Sequence, residues 1–351
     1  MYYKNDDYKD DLMSALEASL GLESLQGRTI LITGASGLIG SFLVDMLMLF
    51  NELHRSDLMV FALARDAKVL KWRFESHLTN RLFNILQHDV RTPLNSDIRF
   101  DFVIHAASNA HPQVFSVDPV GTISANVFGV YNILEHLVAT GGGRMLFVSS
   151  GEVYGQGMGV KAFDERYSGY VDSMSQRACY PNAKRISETL CVAFSTQYGI
   201  DTVIARPCHT YGPTATTNDS RVASQFINNA LAGDNIILKS DGSQLRSYCY
   251  VADCASAILS VLLKGEANNA YNIANKNSNV TIREMAELIA EICHRDVVFH
   301  NPQDRERAGY NPVTQSVLDA SKLENLGWSP KYNLKDGLLR TIGITKQLRE
   351  Q

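Results

Sequence analysis

Tyr180 and Lys184 stand four residues apart in the run Tyr180-Pro181-Asn182-Ala183-Lys184. A helix through this segment turns both side chains the same way. An ammonium beside a phenol favours the phenolate, drawing the phenol pKa down from about 10 toward the range of a general base. Such a group removes the proton of a hydroxyl while hydride leaves the same carbon. Ser150 follows the apolar run Met145 to Ser149, which reads as a strand, and its hydroxyl is placed to hydrogen-bond the reacting group. Taken alone, a Tyr and a Lys at this spacing are an ordinary helix pattern. Their meaning depends on whether a hydride acceptor has a seat nearby.

That seat is legible earlier in the chain. Thr33-Gly34-Ala35-Ser36-Gly37-Leu38-Ile39-Gly40 follows the apolar run Thr29 to Thr33 and opens the apolar-periodic stretch Ser41 to Phe50. Strand, glycine turn and helix in this order form a pyrophosphate site: the glycines let the backbone approach closely, and the helix start offers unpaired N–H groups. A nicotinamide dinucleotide is therefore expected, held by Gly34, Ser36, Gly37, Leu38, Ile39 and Gly40. Where an acidic residue usually meets the adenosine ribose, the chain has Ala64 followed by Arg65. Arg65 suits a 2′-phosphate, which favours NADP over NAD and leaves both open. Asp89 and Val90 fall where the chain returns toward the adenine. Ala106, Ala107 and Ser108 end a further strand beside the cofactor.

The elements that position these groups alternate. Thr29 to Thr33, Met59 to Leu63, Phe102 to Ala106, Met145 to Ser149 and Thr202 to Ala205 read as strands separated by helical patterns. This is the βαβ signature of an α/β fold with a doubly wound parallel sheet. After Pro213 a polar loop, Thr214 to Arg221, leads to a helix, a short strand at Ile236 to Lys239 and more helix, a smaller C-terminal α/β lobe for the substrate. Thr281 and Glu284 form a capping box opening the helix Ile282 to Cys293. The expected division is an N-terminal arm over 1–25, a dinucleotide-binding domain over 26–205 with a return near 236–262, and a mainly substrate-binding lobe over 206–345. The arm carries no readable role.

Composition narrows the rest. The 351 residues are 45% apolar and 20% charged with net charge -4, and no basic stripe suits nucleic acid. The apolar stretch Phe42 to Phe50 is short and interrupted by Asp45, so no membrane span is expected. Met1 to Asp11 is acidic and aromatic, unlike a secretory signal, and a cytoplasmic protein is expected. The cysteines at 179, 191, 208, 249, 254 and 293 form no Cys-x-x-Cys pair, and the histidines show no ligand spacing. Reduced thiols and no metal site are the expectation.

Further motifs join these: His105-Ala106-Ala107-Ser108, Asn126 with Gly129, Ser150-Gly151-Glu152-Val153-Tyr154-Gly155, Arg206-Pro207 with Tyr211-Gly212-Pro213, and Arg246 with Asp253. With them the chain resembles the extended short-chain dehydrogenase/reductases, the nucleotide-sugar epimerase/dehydratase family, over about residues 27 to 340. The resemblance implies that the glycine turn binds NAD(P) and that Ser150, Tyr180 and Lys184 carry the hydride step. It adds Asn126 and Pro207, with Tyr180 and Lys184, to the cofactor contacts. For a nucleotide-diphosphate sugar, a UDP-sugar first, it adds Ser150, His209, Arg221 and Arg246, with Arg305 and Arg307 as later contacts. Arg177-Ala178-Cys179-Tyr180 and Gly242-Ser243-Gln244-Leu245-Arg246 are most similar to UDP-glucuronate decarboxylases. The chain departs from them at Gly121, where they carry a lysine, and at His209, where they carry an asparagine.

Glu152 bears on the reaction. A ketone at C4 of a sugar acidifies the C5 proton, and a carboxylate beside the catalytic serine can take it. Dehydratases and decarboxylases of the family carry an acid here, whereas simple C4 epimerases need none; Gly151 stands where dTDP-glucose dehydratases have an aspartate. A lyase, either a 4,6-dehydratase or a decarboxylase, is the leading expectation, with a 4-epimerase and an NADPH-dependent 4-ketoreductase open. A non-catalytic dinucleotide-binding regulator is the alternative of another class, opposed by the intact Ser150, Tyr180 and Lys184. The resemblance further implies a homodimer packed through Thr122 to Thr140 and Tyr180 to Gln197, and a place in cell-surface polysaccharide synthesis.

Overall fold

The computed structural model describes residues 2–110, 112–157, 159–300 and 314–350. In chain order the strands begin with β1 (Thr29–Thr33), β2 (Met59–Ala64), β3 (Phe83–Gln87), β4 (Phe102–His105), β5 (Arg144–Val148) and β6 (Asp201–Pro207). β7 (His209–Tyr211), β8 (Ile236–Leu238), β9 (Leu245–Tyr250), β10 (Ala270–Ile273), β11 (Asn279–Thr281), β12 (Val297–Phe299) and β13 (Gln315–Ser316) follow. The helices that matter here are α1 (Asp6–Ala18), α2 (Leu38–His54), α3 (Ala67–Arg73), α4 (Pro112–Val117), α5 (Pro119–Ala139) and α6 (Cys179–Tyr198). α7 (Val222–Ala232), α8 (Val251–Lys264) and α9 (Ile282–Cys293) come after them.

Seven strands form one sheet in the order β10-β6-β5-β4-β1-β2-β3, with every pairing parallel. Helices cover both faces, so the central strands bury both sides and read as near-continuous apolar runs, such as Thr-Ile-Leu-Ile-Thr in β1. Strand order reverses between β1 and β4, which opens a crevice beyond their carboxyl ends. All five strands expected from sequence are present. β3 and β10 were not expected, because Asn84 and Asn272 interrupt their apolar pattern. Asn272 is fully buried and satisfied by Tyr154 Oη at 2.5 Å and by the carbonyls of Phe163 and Asp319, each at 2.9 Å.

Beyond β6 the chain builds a second layer of short strands. β9 pairs with β7, β11 and β13, while β8 pairs with β12 apart from the large sheet. The chain returns to the large sheet through α8, packed on β5 and β6, and through β10. The capping box at Thr281 and Glu284 forms, and α9 runs over the expected Ile282–Cys293.

The N-terminal segment is built into the core. Asn5 caps α1 by accepting from the Tyr8 N–H at 2.9 Å, and α1 packs against α2 and α8. Tyr8 donates to the buried Asp45 carboxylate at 2.9 Å, which also meets Arg73 at 2.6 Å and His77 at 2.9 Å. Burial pushes the Asp45 carboxyl up, yet the Arg73 guanidinium and His77 offset this and hold it below its ordinary value. The acid that interrupts the apolar α2 is thus the anchor of the arm.

Candidate active site

β1 delivers the chain into the glycine turn. Gly34 has φ +67°, in the left-handed region, and a Cβ there would lie 2.7 Å from the Ala106 carbonyl oxygen. A Cβ on Gly40 would collide with the Gly34 carbonyl. The first glycine thus permits the turn and the third lets α2 pack onto it, as a pyrophosphate cradle requires. Thr33 Oγ1 pairs with His105 Nδ1 at 2.9 Å and accepts from the Ala107 N–H at 3.2 Å, locking the ends of β1 and β4 side by side.

Two recesses open beyond these strand ends. One is lined by Gly34, Ser36, Gly37, Ala64, Arg65, Asp89, Val90, Ala106, Ala107 and Ser108, the adenosine side expected from sequence. Asp66 is committed to capping α3 through the Lys68 N–H at 2.8 Å. Asp89 is committed to Arg91, whose Nε lies 3.0 Å from each carboxylate oxygen. Asn126, expected to touch the cofactor, is instead fully buried behind the wall. It accepts from Ser108 Oγ at 3.0 Å and donates to the Thr122 carbonyl at 2.8 Å, so its contact with the recess runs through Ser108.

The other recess gathers Gly37, Leu38, Ile39, Gly40, Ser150, Glu152, Tyr180, Lys184, Pro207, His209 and Arg221. Residues more than 180 positions apart in sequence share one wall. Ser150 starts a single 3-10 turn, Gly151–Tyr154, and its Oγ accepts from the Glu152 N–H at 3.2 Å, placing serine and glutamate on the same lip. The Ser150 hydroxyl lies beside the Tyr180 phenol and lowers its pKa. From α6, Tyr180 and Lys184 enter together, with the Lys184 ammonium 5.7 Å from the Tyr180 ring centroid.

Their electrostatics differ from the sequence expectation. Lys184 Nζ donates to the Val148 carbonyl at 2.7 Å and lies over the Phe147 ring, and burial pushes its pKa down to about 7. Burial, reinforced by the Glu152 charge, pushes the Tyr180 phenol up, and the opposing pull comes from Ser150, Arg221 and Arg177. Lys184 is thus tethered to the strand below the phenol, and arginines supply the positive field that favours phenolate.

Other sequence expectations are redistributed. Arg221 reaches the cleft wall but is engaged in a two-pronged ion pair with Asp219. Arg246 is buried and not part of the wall; it lies behind, where its charge reaches His209, Tyr248 and Glu152. Arg305 and Arg307 lie outside the described residues. Several neighbours went unread in the sequence. Phe115 stacks on the Tyr180 ring at 4.6 Å and 19°. Arg177 Nη2 donates to Glu152 Oε1 at 2.9 Å. Cys208 and Ser316 complete the sugar-side lining. Glu188, one turn beyond Lys184, accepts from Ser149 Oγ at 2.6 Å. That spacing was the available signal for Glu188; nothing local points to Phe115.

Among the described residues no cluster of His, Cys, Asp and Glu could hold a metal ion, and no helix is long and apolar enough to cross a membrane.

Comparison with known proteins fits this architecture. Residues 30–274 match the family model described as NAD dependent epimerase/dehydratase family. UDP-glucuronic acid decarboxylase 6 of Arabidopsis thaliana is 37% identical over 317 residues, covering 88% of this chain and 86% of that protein. The dTDP-glucose 4,6-dehydratase of Streptomyces venezuelae, solved with NAD bound, superposes with a TM-score of 0.81 at 25% identity, over 92% of this chain and 98% of that one. The UDP-glucose 4-epimerase of Thermotoga maritima shares the fold with a TM-score of 0.77 at 24% identity, over 92% of this chain and 99% of that one. The glycine cradle, the parallel sheet and these matches over most of its length place the chain in the NAD dependent epimerase/dehydratase family.

Proposed function

We propose that this protein is a nucleotide-diphosphate sugar lyase working through transient oxidation at C4, a 4,6-dehydratase or a decarboxylase, with a UDP-sugar as first candidate substrate. Gly34 and Gly40, whose missing Cβ atoms let the turn close against β4 and α2, and Gly37 between them would hold NAD(P) with Ser36, Leu38, Ile39 and Pro207. When bound, that cofactor supplies the acceptor and donor of hydride. Tyr180 takes the O4 proton, and Ser150 hydrogen-bonds that oxygen and the phenol. Arg221 and Arg177 favour the phenolate by charge, and Lys184 is held beneath it by the Val148 carbonyl. Glu152 handles the proton at C5, removing it in a dehydration or returning it after loss of carbon dioxide.

The observation that carries a lyase over an epimerase is Glu152 on the same lip as Ser150, a placement with no use in a reaction confined to C4. Incubation with UDP-, dTDP-, GDP- and CDP-sugars without added cofactor tests it by mass. A product lighter by water or carbon dioxide is expected; an isomer of unchanged mass, or turnover only on a supplied 4-keto sugar with NADPH, contradicts it. A Tyr180→Phe variant with full activity would instead support a non-catalytic dinucleotide binder.

We further infer a preference for NADP, because Arg65 borders the adenosine recess while the neighbouring acids Asp66 and Asp89 are committed elsewhere. The large domain, 26–205 with its return through α8 and β10, and the lobe built from the rest of 206–345 divide the work between cofactor and sugar. A homodimer through α5 and α6 is supported by their exposed apolar side chains, Ile123, Phe128 and Tyr131 on one and Ile186, Val192 and Tyr198 on the other. Sedimentation reads this directly, and a monomer at micromolar concentration removes it. A cytoplasmic setting, with its supply of nucleotide sugars for surface polysaccharide, suits this chemistry and the free cysteines.

A further inference from the structure

We propose that Arg177 is the positioning residue for Glu152, holding its carboxylate aimed for the C5 proton. The inference rests on the lyase reading above and assigns a role to a residue outside the cleft wall. Three contacts define it. Arg177 Nη2 donates to Glu152 Oε1 at 2.9 Å, and both side chains are a little under one third exposed. The guanidinium lies over the Phe115 ring, 5.0 Å from its centroid, and Phe115 in turn stacks on Tyr180. The turn that carries Arg177, Gln176–Ala178, runs directly into α6 and is tied to α4 through Gln176 Nε2 and the Ser116 carbonyl at 3.0 Å.

Arg177 therefore stands three residues before the tyrosine that handles the O4 proton, while its charge is spent on the carboxylate that handles the C5 proton. A planar guanidinium pinned on an aromatic face has little freedom, so a carboxylate paired to it inherits a fixed position. The pairing also answers a local conflict: Glu152 and a Tyr180 phenolate are like charges sharing one site, and Arg177 acts on both. The other titratable or charged groups around the pair are Tyr180 and Cys179 on α6, Arg246 on β9, and His209 and Arg221 across the cleft.

The test is turnover of dTDP-glucose and of UDP-glucuronic acid in D2O, comparing the native protein with Arg177→Gln, Arg177→Lys and Glu152→Gln. Two steps are read: reduction of bound nucleotide at 340 nm, and deuterium appearing at C5. In Arg177→Gln the absorbance step is expected to slow by only a few-fold, its remaining amplitude reporting a folded site, while deuterium incorporation falls further, about 10- to 100-fold. Arg177→Lys should recover part of the rate, and Glu152→Gln should lose C5 exchange altogether. The proposal is overturned if Arg177→Gln keeps the native exchange rate while Glu152→Gln abolishes exchange. If the native protein oxidises a sugar yet places no deuterium at C5, the lyase reading fails and this role falls with it.

Discussion

Arg206 grips both carboxylate oxygens of Glu188, Nε at 2.9 Å and Nη2 at 2.6 Å, binding the end of β6 to α6 one turn beyond Lys184. Arg206 Nη1 also donates to Tyr154 Oη at 2.9 Å and to the Glu165 carbonyl at 2.8 Å. The helix that presents Tyr180 and Lys184 is thereby fastened to the sheet beneath it. Both members are mostly buried, at 13% and 12% side-chain exposure, so removing one strands the other. Glu188→Ala should lower stability by about 3–5 kcal/mol in denaturant titration. The milder Glu188→Gln should mainly alter Lys184, whose pKa Glu188 opposes burial in raising. With that support gone, the basic limb of the rate profile should move to lower pH; an unmoved limb would separate Glu188 from Lys184.

The buried Asp45 cluster makes the N-terminal arm a stabilising element. Asp45→Ala leaves Arg73 buried without its counter-charge and should cost about 3–5 kcal/mol. Tyr8→Phe removes one hydrogen bond and should cost about 1 kcal/mol. Melting curves of both variants check this, and a native-like Asp45→Ala would mean the arm is anchored by apolar packing alone.

His105 makes stability acid-sensitive. Burial, with the nearby Lys184 charge, pushes its pKa from 6.5 down to about 3. Between those values the unfolded chain binds the proton and the folded chain does not, so this group's contribution is lost as pH falls from about 6.5 toward 3. A His105→Asn variant should show a shallower fall of unfolding free energy across that window. An identical slope would assign the acid sensitivity to other groups.

Arg65 decides between the dinucleotides in this account. Calorimetry should find NADP bound more tightly than NAD, and Arg65→Ala should weaken NADP by about 10-fold with little effect on NAD, since an exposed charge pair is worth about 1 kcal/mol or less per contact and a phosphate offers more than one. Equal losses for both would make Arg65 a bystander.

The large sheet was legible because its strands are buried on both faces and read as unbroken apolar runs, whereas β3 and β10 were hidden by an asparagine in each, half-buried at Asn84 and buried at Asn272. Tyr180, Lys184, Ser150 and Glu152 were legible because local spacing fixes their neighbours. Phe115 and Arg177 were not, since their roles arise only when α4 folds over the start of α6. Arg246 and Asn126 carry expected ligand roles from motif position, and their burial is a tertiary quantity that no spacing encodes. The arm was opaque for the same reason: Asp45 reads as an interruption of an apolar helix until Tyr8, Arg73 and His77 close around it.

The most direct test of the central claim follows a deuterium atom placed at C4 of the sugar nucleotide that turns over. Oxidation and return within one turnover predict that the label stays in the product, on C6 after loss of water or on C4 after loss of carbon dioxide, with none passing to added unlabelled cofactor. Deuterium released to an external dinucleotide pool, or a product formed with the C4 label never disturbed and no isotope effect on its rate, would contradict transient oxidation by Tyr180, Ser150 and Lys184.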